Sequence, residues 1–235
     1  MMTISEDRLA RDAGEWRNTT IAIEAFKKGL SQPQDVAIYL EDEPDATYGA
    51  LAKEALRLIA ALRDLGLSTG DVISFQFPNW REGAVVDIAA AALGLVVNPI
   101  VPIYRDAELR FILSDAESKL ILIPDQHRSI DYVNMICRLR PELPCLEHVV
   151  TLRATAESPD TTRYEQLIDC DPADQSSLPV IDPNSIKCRL YTAGTTGFPK
   201  AVLHSHNTLT RIIDNTSDHS GTNSTDVMMM PSPIT

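Results

Sequence analysis

Short β-rich runs alternate with helical runs from residue 35 to about residue 152, and no other feature of the sequence constrains the fold as strongly. The helical runs carry apolar residues three and four positions apart, whereas the β-rich runs are short and mostly apolar. In a parallel sheet a helix carries the chain back between successive strands and covers the sheet. The five β-rich runs are residues 35–40, 71–77, 95–98, 119–123 and 147–152. We therefore predict an α/β fold with a mostly parallel sheet, flanked by helices on both faces.

Capping and turn residues mark the ends of the predicted helices. Thr47 occupies the N-cap position before the first long helix, and Gly66 follows where that helix should end. The buried face of this helix is predicted to carry Leu51, Ala55, Leu58 and Leu62. After the next strand, Asn79 is predicted to cap an alanine-rich helix that runs toward Gly94.

The alternation stops in residues 154–185, which contain seven acidic residues and one base, Arg163. A new pattern begins after this segment, which favours a subdomain boundary over a solvated surface excursion. We divide the chain into an N-terminal helical segment (residues 1–34), a first α/β subdomain (35–153), an acidic linker (154–185) and the start of a second α/β subdomain (186–235), which is truncated.

Composition excludes several classes of partner. The chain has 235 residues, 44% hydrophobic and 23% charged, as expected of a globular protein with a packed core. Its formal net charge of -12 argues against nucleic acid or an anionic membrane as a partner, because both require clustered Lys and Arg. No apolar run has the length of a signal peptide or a membrane span, so a cytoplasmic location is predicted. The four cysteines have no CxxC spacing, which favours free thiols over a zinc site.

The residues with the clearest chemical use lie between two short β-type runs, residues 186–190 and 201–204. Residues 191–206 have the sequence YTAGTTGFPKAVLHSH, and a helix capped by Asn207 is predicted after them. Gly194 and Gly197 allow positive φ, so successive backbone N–H groups can point into one concavity. Hydroxyl groups come from Thr192, Thr195 and Thr196, and Lys200 adds a single cation. These are the parts of a polyphosphate site.

A plain hairpin connection is the alternative interpretation of this segment, since loops rich in Gly, Thr and Pro are common. A Walker A loop is excluded by spacing, because Pro199 stands where the second glycine is required and no Ser or Thr follows Lys200.

Residues 191–202 resemble the phosphate-binding signature of the adenylate-forming superfamily of AMP-dependent synthetases and ligases, which includes acyl-CoA synthetases, firefly luciferase and nonribosomal-peptide adenylation domains. The upstream segments GDVISFQFPNW and VVNPIVPIYRDAELRFILSDAESKLILI, and the later TDVMMMPSP, are similar to the N-terminal half of an acyl-CoA synthetase. The resemblance spans residues 20 to 235. Ala193 stands where the family often has Ser, and Ala201 where it usually has Gly; if position 201 requires positive φ, Ala costs about 1 kcal/mol.

The resemblance implies a two-step reaction. A carboxylate attacks the α-phosphorus of ATP with the help of Mg²⁺, and the thiol of coenzyme A then displaces AMP from the acyl-adenylate. By resemblance, Lys200 is the catalytic residue. The phosphate-binding residues implied are Thr192, Ala193, Gly194, Thr195, Thr196, Gly197 and Lys200. No residue of this chain is expected to bind a metal, and His204 and His206 receive no role.

Several family motifs are expected beyond residue 235, including the adenine and ribose sites and the C-terminal domain. The chain alone is therefore expected to be inactive and to hold at best a triphosphate. Three alternatives stay open: an adenylation domain that loads a carrier protein, a noncatalytic module that binds a nucleotide or a partner, and a degenerate reading frame without a stable role. The expected substrate is a small carboxylic acid, with medium-chain or alicyclic acids hinted at by PSPIT, and a homo-oligomer stays open.

Overall fold

The computed structural model describes residues 16–192 and 199–232. The helices in this part are α1 (Ile21–Ser31), α2 (Tyr48–Asp64), α3 (Arg81–Leu93), α4 (Asp106–Ala116), α5 (Tyr132–Leu139), α6 (Tyr164–Leu167) and α7 (His206–Ser220). The strands are β1 (Val36–Ile38), β2 (Ala46–Thr47), β3 (Val72–Phe75), β4 (Val96–Pro99), β5 (Leu120–Pro124), β6 (Gln126–His127), β7 (Ile130–Asp131), β8 (His148–Leu152), β9 (Thr162–Arg163), β10 (Ile186–Thr192) and β11 (Lys200–Ser205). None of these helices is long and apolar enough to cross a membrane.

Seven strands form the main sheet, in the order β11-β10-β4-β3-β5-β8-β9. Every neighbouring pair is parallel except β10 and β11, which form an antiparallel hairpin. The mostly parallel sheet is thus confirmed. The prediction that the run at residues 35–40 joins this sheet is wrong, because β1 pairs with β2 in a separate antiparallel ribbon and is only half-buried. Its apolar composition suits either kind of strand.

Helices cover both faces of the sheet, as predicted. Alternate residues of β5 point to opposite faces, and they belong to two different apolar clusters. Leu120 and Leu122 pack with residues of α1, α2 and α3. Ile121 and Ile123 pack with residues of α4 and α5. The core therefore consists of two layers, one on each side of the sheet.

The cap assignments are confirmed at Thr47 and wrong at two asparagines. The Thr47 hydroxyl accepts a hydrogen bond from the Ala50 N–H at the start of α2. By contrast, α3 begins after Trp80, and the Asn79 amide donates instead to the backbone carbonyls of Met230 and Ser232, at 3.3 and 2.7 Å. Asn79 thus bonds to a distant part of the chain instead of capping the helix that follows it in the sequence.

The second wrong cap is Asn207, which lies inside α7, whose N-cap is Ser205. The Asn207 amide donates at 3.0 Å to the side-chain oxygens of Asn18 and Asn184. This buried contact joins α7 to the chain before α1 and to the segment before β10, so the asparagine serves packing between distant segments.

Residues 154–185 and 186–235 are integrated with the rest of the structure where they are described. Strand β9 lies within the predicted acidic linker and extends the sheet beside β8. Strand β10, predicted to open a second subdomain, pairs with β4 of the first. The four-part division of the chain stays a prediction.

Candidate functional site

The β10–β11 hairpin presents the predicted phosphate loop. Thr192 ends β10 and lies directly opposite Lys200, which begins β11. The predicted binding residues Ala193, Gly194, Thr195, Thr196 and Gly197 lie outside the described residues. The structure therefore brings together Thr192 and Lys200, the two ends of the proposed site.

The hairpin lies at the carboxyl edge of the parallel strands. Because β10 is parallel to β4, its carboxyl end at Thr192 points the same way as those of β3, β4, β5 and β8. Ligands of open α/β sheets bind outside this edge, where loops follow the strands and side chains from several strands converge. The topology is thus compatible with a ligand at residues 192–200.

Lys200 is exposed and, in the described part of the chain, has no ion-pair partner. The nearby Thr192 hydroxyl donates to the Lys200 backbone carbonyl at 3.4 Å, at the long end of the hydrogen-bond range. The ammonium group is therefore available to an anion, and Thr192 can exchange its weak bond for one to a ligand.

The departure from the family pattern at Ala201 carries no backbone strain. Ala201 lies within β11 and pairs with Tyr191. Positive φ outside glycine occurs, among the described residues, only at Asn18, Glu117, Arg128 and Arg153. Alanine is a regular strand residue here, so the cost expected from an obligatory glycine conformation does not arise. Ala193 lies outside the described residues.

A small apolar cavity borders the hairpin. Its volume is about 220 Å³, and its walls come from the ends of β4 and β10, the loop after β4, and α4. The lining residues are Pro99, Ile100, Val101, Tyr104, Ile112, Leu190, Tyr191 and Thr192. The Gln76 side chain holds the loop after β4 in place by donating to the carbonyls of Val101 and Tyr104, at 3.0 Å each. Thr192 is thus one of the residues that line a cavity whose loop wall is held in place by hydrogen bonds.

The neighbouring part of the carboxyl edge is closed by protein groups. Arg153, directly after β8, stacks over the Trp80 ring at 4.1 Å from its centroid. Its guanidinium donates to both oxygens of the buried Glu82 carboxylate, at 3.1 and 2.9 Å, and also pairs with Glu43. Two carboxylates balance this cation, so it is a weaker candidate than Lys200 for contact with a phosphate.

The two histidines after the loop differ in environment. His204 is half-buried on β11, whereas His206 is only 2% exposed at the start of α7. Burial, with the nearby Lys187 cation, lowers the pKa of His206 to about 4, so its imidazole is neutral at pH 7. A neutral, buried imidazole offers no charge to a phosphate.

Sequence reasoning missed one group at the hairpin. The Tyr191 hydroxyl donates to the Asp115 carboxylate at 2.5 Å. The two residues are 76 positions apart, and no local pattern signals such a contact.

Comparisons with known proteins identify the family. The AMP-binding enzyme family matches residues 26–235. The medium-chain fatty-acid–CoA ligase of Escherichia coli (strain K12) is 29% identical over 240 aligned positions, which cover 99% of this chain and 41% of that protein. The vibriobactin-specific 2,3-dihydroxybenzoate-AMP ligase of Vibrio cholerae is 26% identical over 84% of this chain and 36% of its own.

The fold is that of solved ligases. A Rhodopseudomonas palustris protein assigned as a long-chain-fatty-acid CoA ligase superposes with a TM-score of 0.80 at 20% identity, covering 93% of this chain and 52% of its own. The chain spans about two fifths of the length of the curated relatives it matches. Since the family match covers most of the residues, including both strands of the hairpin, the chain belongs to the AMP-binding enzyme family.

Proposed function

We propose that this chain serves the ATP-dependent activation of a carboxylic acid, first to an acyl-adenylate and then to a coenzyme A thioester, and that it supplies the phosphate-binding part of the site. One observation carries the proposal. Lys200, which forms no ion pair with the described residues, and Thr192 lie opposite each other at the carboxyl edge, at the two ends of the segment that resembles the family's phosphate signature. The similarity to acyl-CoA ligases over nearly the whole chain supports it.

The proposed chemistry makes limited demands on the hairpin. A carboxylate oxygen attacks the α-phosphorus of ATP, and the bond to the bridging oxygen of pyrophosphate breaks. Lys200 offsets negative charge on the departing phosphates, and Thr192 donates a hydrogen bond to them. In the second step the thiol sulfur attacks the acyl carbon and AMP leaves. The Thr192 and Lys200 ends of the loop thus act on the leaving group of the first step.

Magnesium is implied by the family, where it is held mainly by the nucleotide phosphates and one or two carboxylates. Among the described residues, no three His, Cys, Asp or Glu side chains lie together where they could hold a metal ion. We assign no magnesium ligand to this part of the chain.

The acid and the acceptor are separate proposals. Similarity to the Escherichia coli relative favours a medium-chain fatty acid with coenzyme A as acceptor. A cytoplasmic location is proposed from the sequence alone. The Vibrio cholerae relative is named as an AMP ligase without mention of coenzyme A. An adenylation domain that passes its acyl group to a carrier protein is therefore kept as the second candidate. The two candidates share the first step and differ in the acceptor. The thiol that accelerates AMP release, that of coenzyme A or that of a carrier protein, distinguishes them.

The first step can be tested in a fusion of this chain with the C-terminal remainder of the Escherichia coli ligase. A folded fusion should catalyse carboxylate-dependent exchange of pyrophosphate into ATP across a panel of acids. The Lys200→Ala variant should slow exchange by about 100-fold, because one charge-stabilising group typically contributes that much.

The matched control is Lys53→Ala, which removes an exposed lysine from α2 and should leave the rate unchanged. Absence of exchange with every acid, from a fusion that melts cooperatively, would contradict the proposal. An unchanged rate in Lys200→Ala would show that Lys200 has no part in the reaction. Micromolar binding of ATP by the unfused chain would favour a noncatalytic nucleotide-binding module instead.

A further inference from the structure

The end of the β10–β11 hairpin extends beyond the part of β10 that pairs with β4. The register that joins β10 to β4 places Cys188 opposite Val97. The pairing of β10 with β11 continues past this point to Thr192 opposite Lys200. Residues 190–192 line the cavity at the end of β4. Contacts other than backbone pairing with β4 must therefore hold these residues against the rest of the protein.

Two side chains on one face of β10 make that connection. Arg189 and Tyr191 are two positions apart, so they project to the same side of the strand, and both reach Asp115 near the end of α4. The Tyr191 hydroxyl donates to the Asp115 carboxylate at 2.5 Å. An Arg189 guanidinium nitrogen donates to the Asp115 backbone carbonyl at 3.2 Å, and a second lies 3.9 Å from the carboxylate.

Packing on α4 complements these polar contacts. Phe111, one turn before Asp115, meets the Tyr191 ring edge-on, with ring centroids 6.4 Å apart. The Arg189 cation lies at the carboxyl end of α4, where exposed helix carbonyls favour positive charge. Burial and the bond to Asp115 raise the pKa of Tyr191, so its hydroxyl remains a donor across the neutral range. One acidic residue therefore joins helix α4 to the last residues of β10.

We propose that Asp115 is a positioning residue: by holding Tyr191 and Arg189 against α4, it fixes the hairpin end so that Thr192 and Lys200 face a bound triphosphate. This inference rests on the proposed function. The sign of the charge supports it. Asp115 contacts Tyr191, which precedes the proposed phosphate ligand Thr192. Its negative charge repels a phosphate, so the loss of this charge alone would tighten binding. If Asp115 positions the hairpin, its removal should instead weaken binding.

The test measures binding of inorganic tripolyphosphate to the complete 235-residue chain. Amide chemical shifts of Thr192 and Lys200 are followed by NMR during titration, which suits the millimolar affinity expected. Asp115→Ala should weaken binding about tenfold. Asp115→Asn, which keeps an oxygen to accept the tyrosine hydroxyl, should restore most of the affinity. Tyr191→Phe keeps the ring and its packing but should weaken binding as Asp115→Ala does.

Two comparisons separate positioning from other roles. The double variant Asp115→Ala/Tyr191→Phe should be no weaker than either single variant, because both changes break one contact. Asp106→Ala is the matched control, since Asp106 lies on the same helix with similar exposure and pairs with Arg138 on the surface. It should leave binding unchanged or slightly tighter. Unchanged or tighter binding in Asp115→Ala would overturn the inference.

Hydrogen exchange tests the positioning without a ligand. In Asp115→Ala the amides of residues 190–192 and 200–202 should exchange about tenfold faster, while those of β5 keep their rates. Equal rates at the hairpin in both proteins would also overturn the inference. If the unaltered chain binds no tripolyphosphate but the hairpin amides respond as expected, the phosphate-binding proposal fails and the anchoring by Asp115 stands. Cooperative melting of Asp115→Asn and Tyr191→Phe establishes that these variants fold.

Discussion

Buried ionisable residues meet beneath the hairpin, where β10, α3 and α7 come together. Lys187 is 4% exposed and forms an ion pair with Asp87 of α3. Burial raises the pKa of the neighbouring Cys188 to about 11, so its thiol stays protonated. His206 completes the group, and its Nε2 atom has no hydrogen-bond partner among the described residues. The neutral forms of Cys188 and His206 leave Lys187 and Asp87 as the charged pair of this cluster.

His206 should make the protein sensitive to acid. Its pKa is about 4 when folded and about 6.5 when unfolded, so the unfolded chain takes up a proton first as pH falls. Stability is therefore complete above pH 6.5 and is lost progressively down to pH 4, by about 2–3 kcal/mol. Urea unfolding at pH 7.5, 5.5 and 4.5 measures this loss, which His206→Gln should reduce.

The Lys187 cation and the carboxylates of Asp87 and Asp182 also act on the His206 imidazole, so only the difference between variants isolates its share. His219→Gln is the control, because His219 is exposed near the end of α7. It should show the full pH dependence of the unaltered protein. A His206→Gln variant with the same dependence would mean that another group takes up the proton.

At the scale of elements, local patterns predicted what local physics determines. Strands β3, β4, β5 and β8 of the main sheet follow apolar runs, α2 begins at the Thr47 cap, and α3 ends at Gly94 in the left-handed conformation. The errors arise where distant contacts decide. Asn79 and Asn207 bond to residues far along the chain, and β1 joins a ribbon rather than the sheet.

The candidate site likewise has features that local sequence predicts and features that depend on distant contacts. The hairpin and the positions of Thr192 and Lys200 follow from the β-type runs on either side of a Gly/Thr/Pro-rich loop. Asp115 could not be predicted, because its role depends on how α4 packs over β10. Packing also brings residues 154–185 into contact with α2: the Arg63 side chain donates to the side chain and the carbonyl of Ser177, at 3.0 Å each.

A substitution at Gly94 tests how closely residues 154–185 pack at the end of α3. Its φ of +70° is costly for any other residue, and a Cβ atom there would lie 2.8 Å from Ile181 Cδ1 and from Thr69 Cγ2. Thr69 cannot turn freely, because its hydroxyl donates to the Leu93 carbonyl at 2.8 Å. Gly94→Ala should lower the free energy of unfolding by about 2–3 kcal/mol, through backbone strain and overpacking together.

Gly66→Ala provides the comparison, since φ is +81° there and no atom beyond the adjoining residues lies within 4 Å of the added Cβ. It should cost only the backbone strain, about 1 kcal/mol. Urea denaturation of both variants measures the difference. Equal losses would mean that Ile181 and Thr69 move aside at no cost.

The whole molecule is packed unevenly. The central strands and the helices on both faces form the core, whereas the apolar residues near the C-terminal end remain exposed. In the described sheet β11 is one of the two edge strands, and α7 follows it and packs on it. We call Val202, Ile212 and Ile213 the C-terminal apolar surface; their exposed fractions are 42%, 50% and 56%. Residues 227–230 are more exposed still, at 68–85%.

An edge strand beside exposed apolar side chains favours self-association. The 235-residue chain should therefore form oligomers at rising concentration, measured by sedimentation velocity, although its net charge of -12 opposes association at low salt. Replacing both Ile212 and Ile213 by Gln should lower the oligomer fraction severalfold. Replacing Ile23 and Leu30 of α1, which are at least as exposed at 55% and 74%, should have less effect, because α1 does not follow an edge strand directly in the chain as α7 does. Equal effects of the two double variants would indicate that total exposed apolar area, rather than the C-terminal apolar surface, drives association. A chain that stays monomeric at high concentration and high salt would show that the charge and the surrounding polar residues suffice to keep this edge apart.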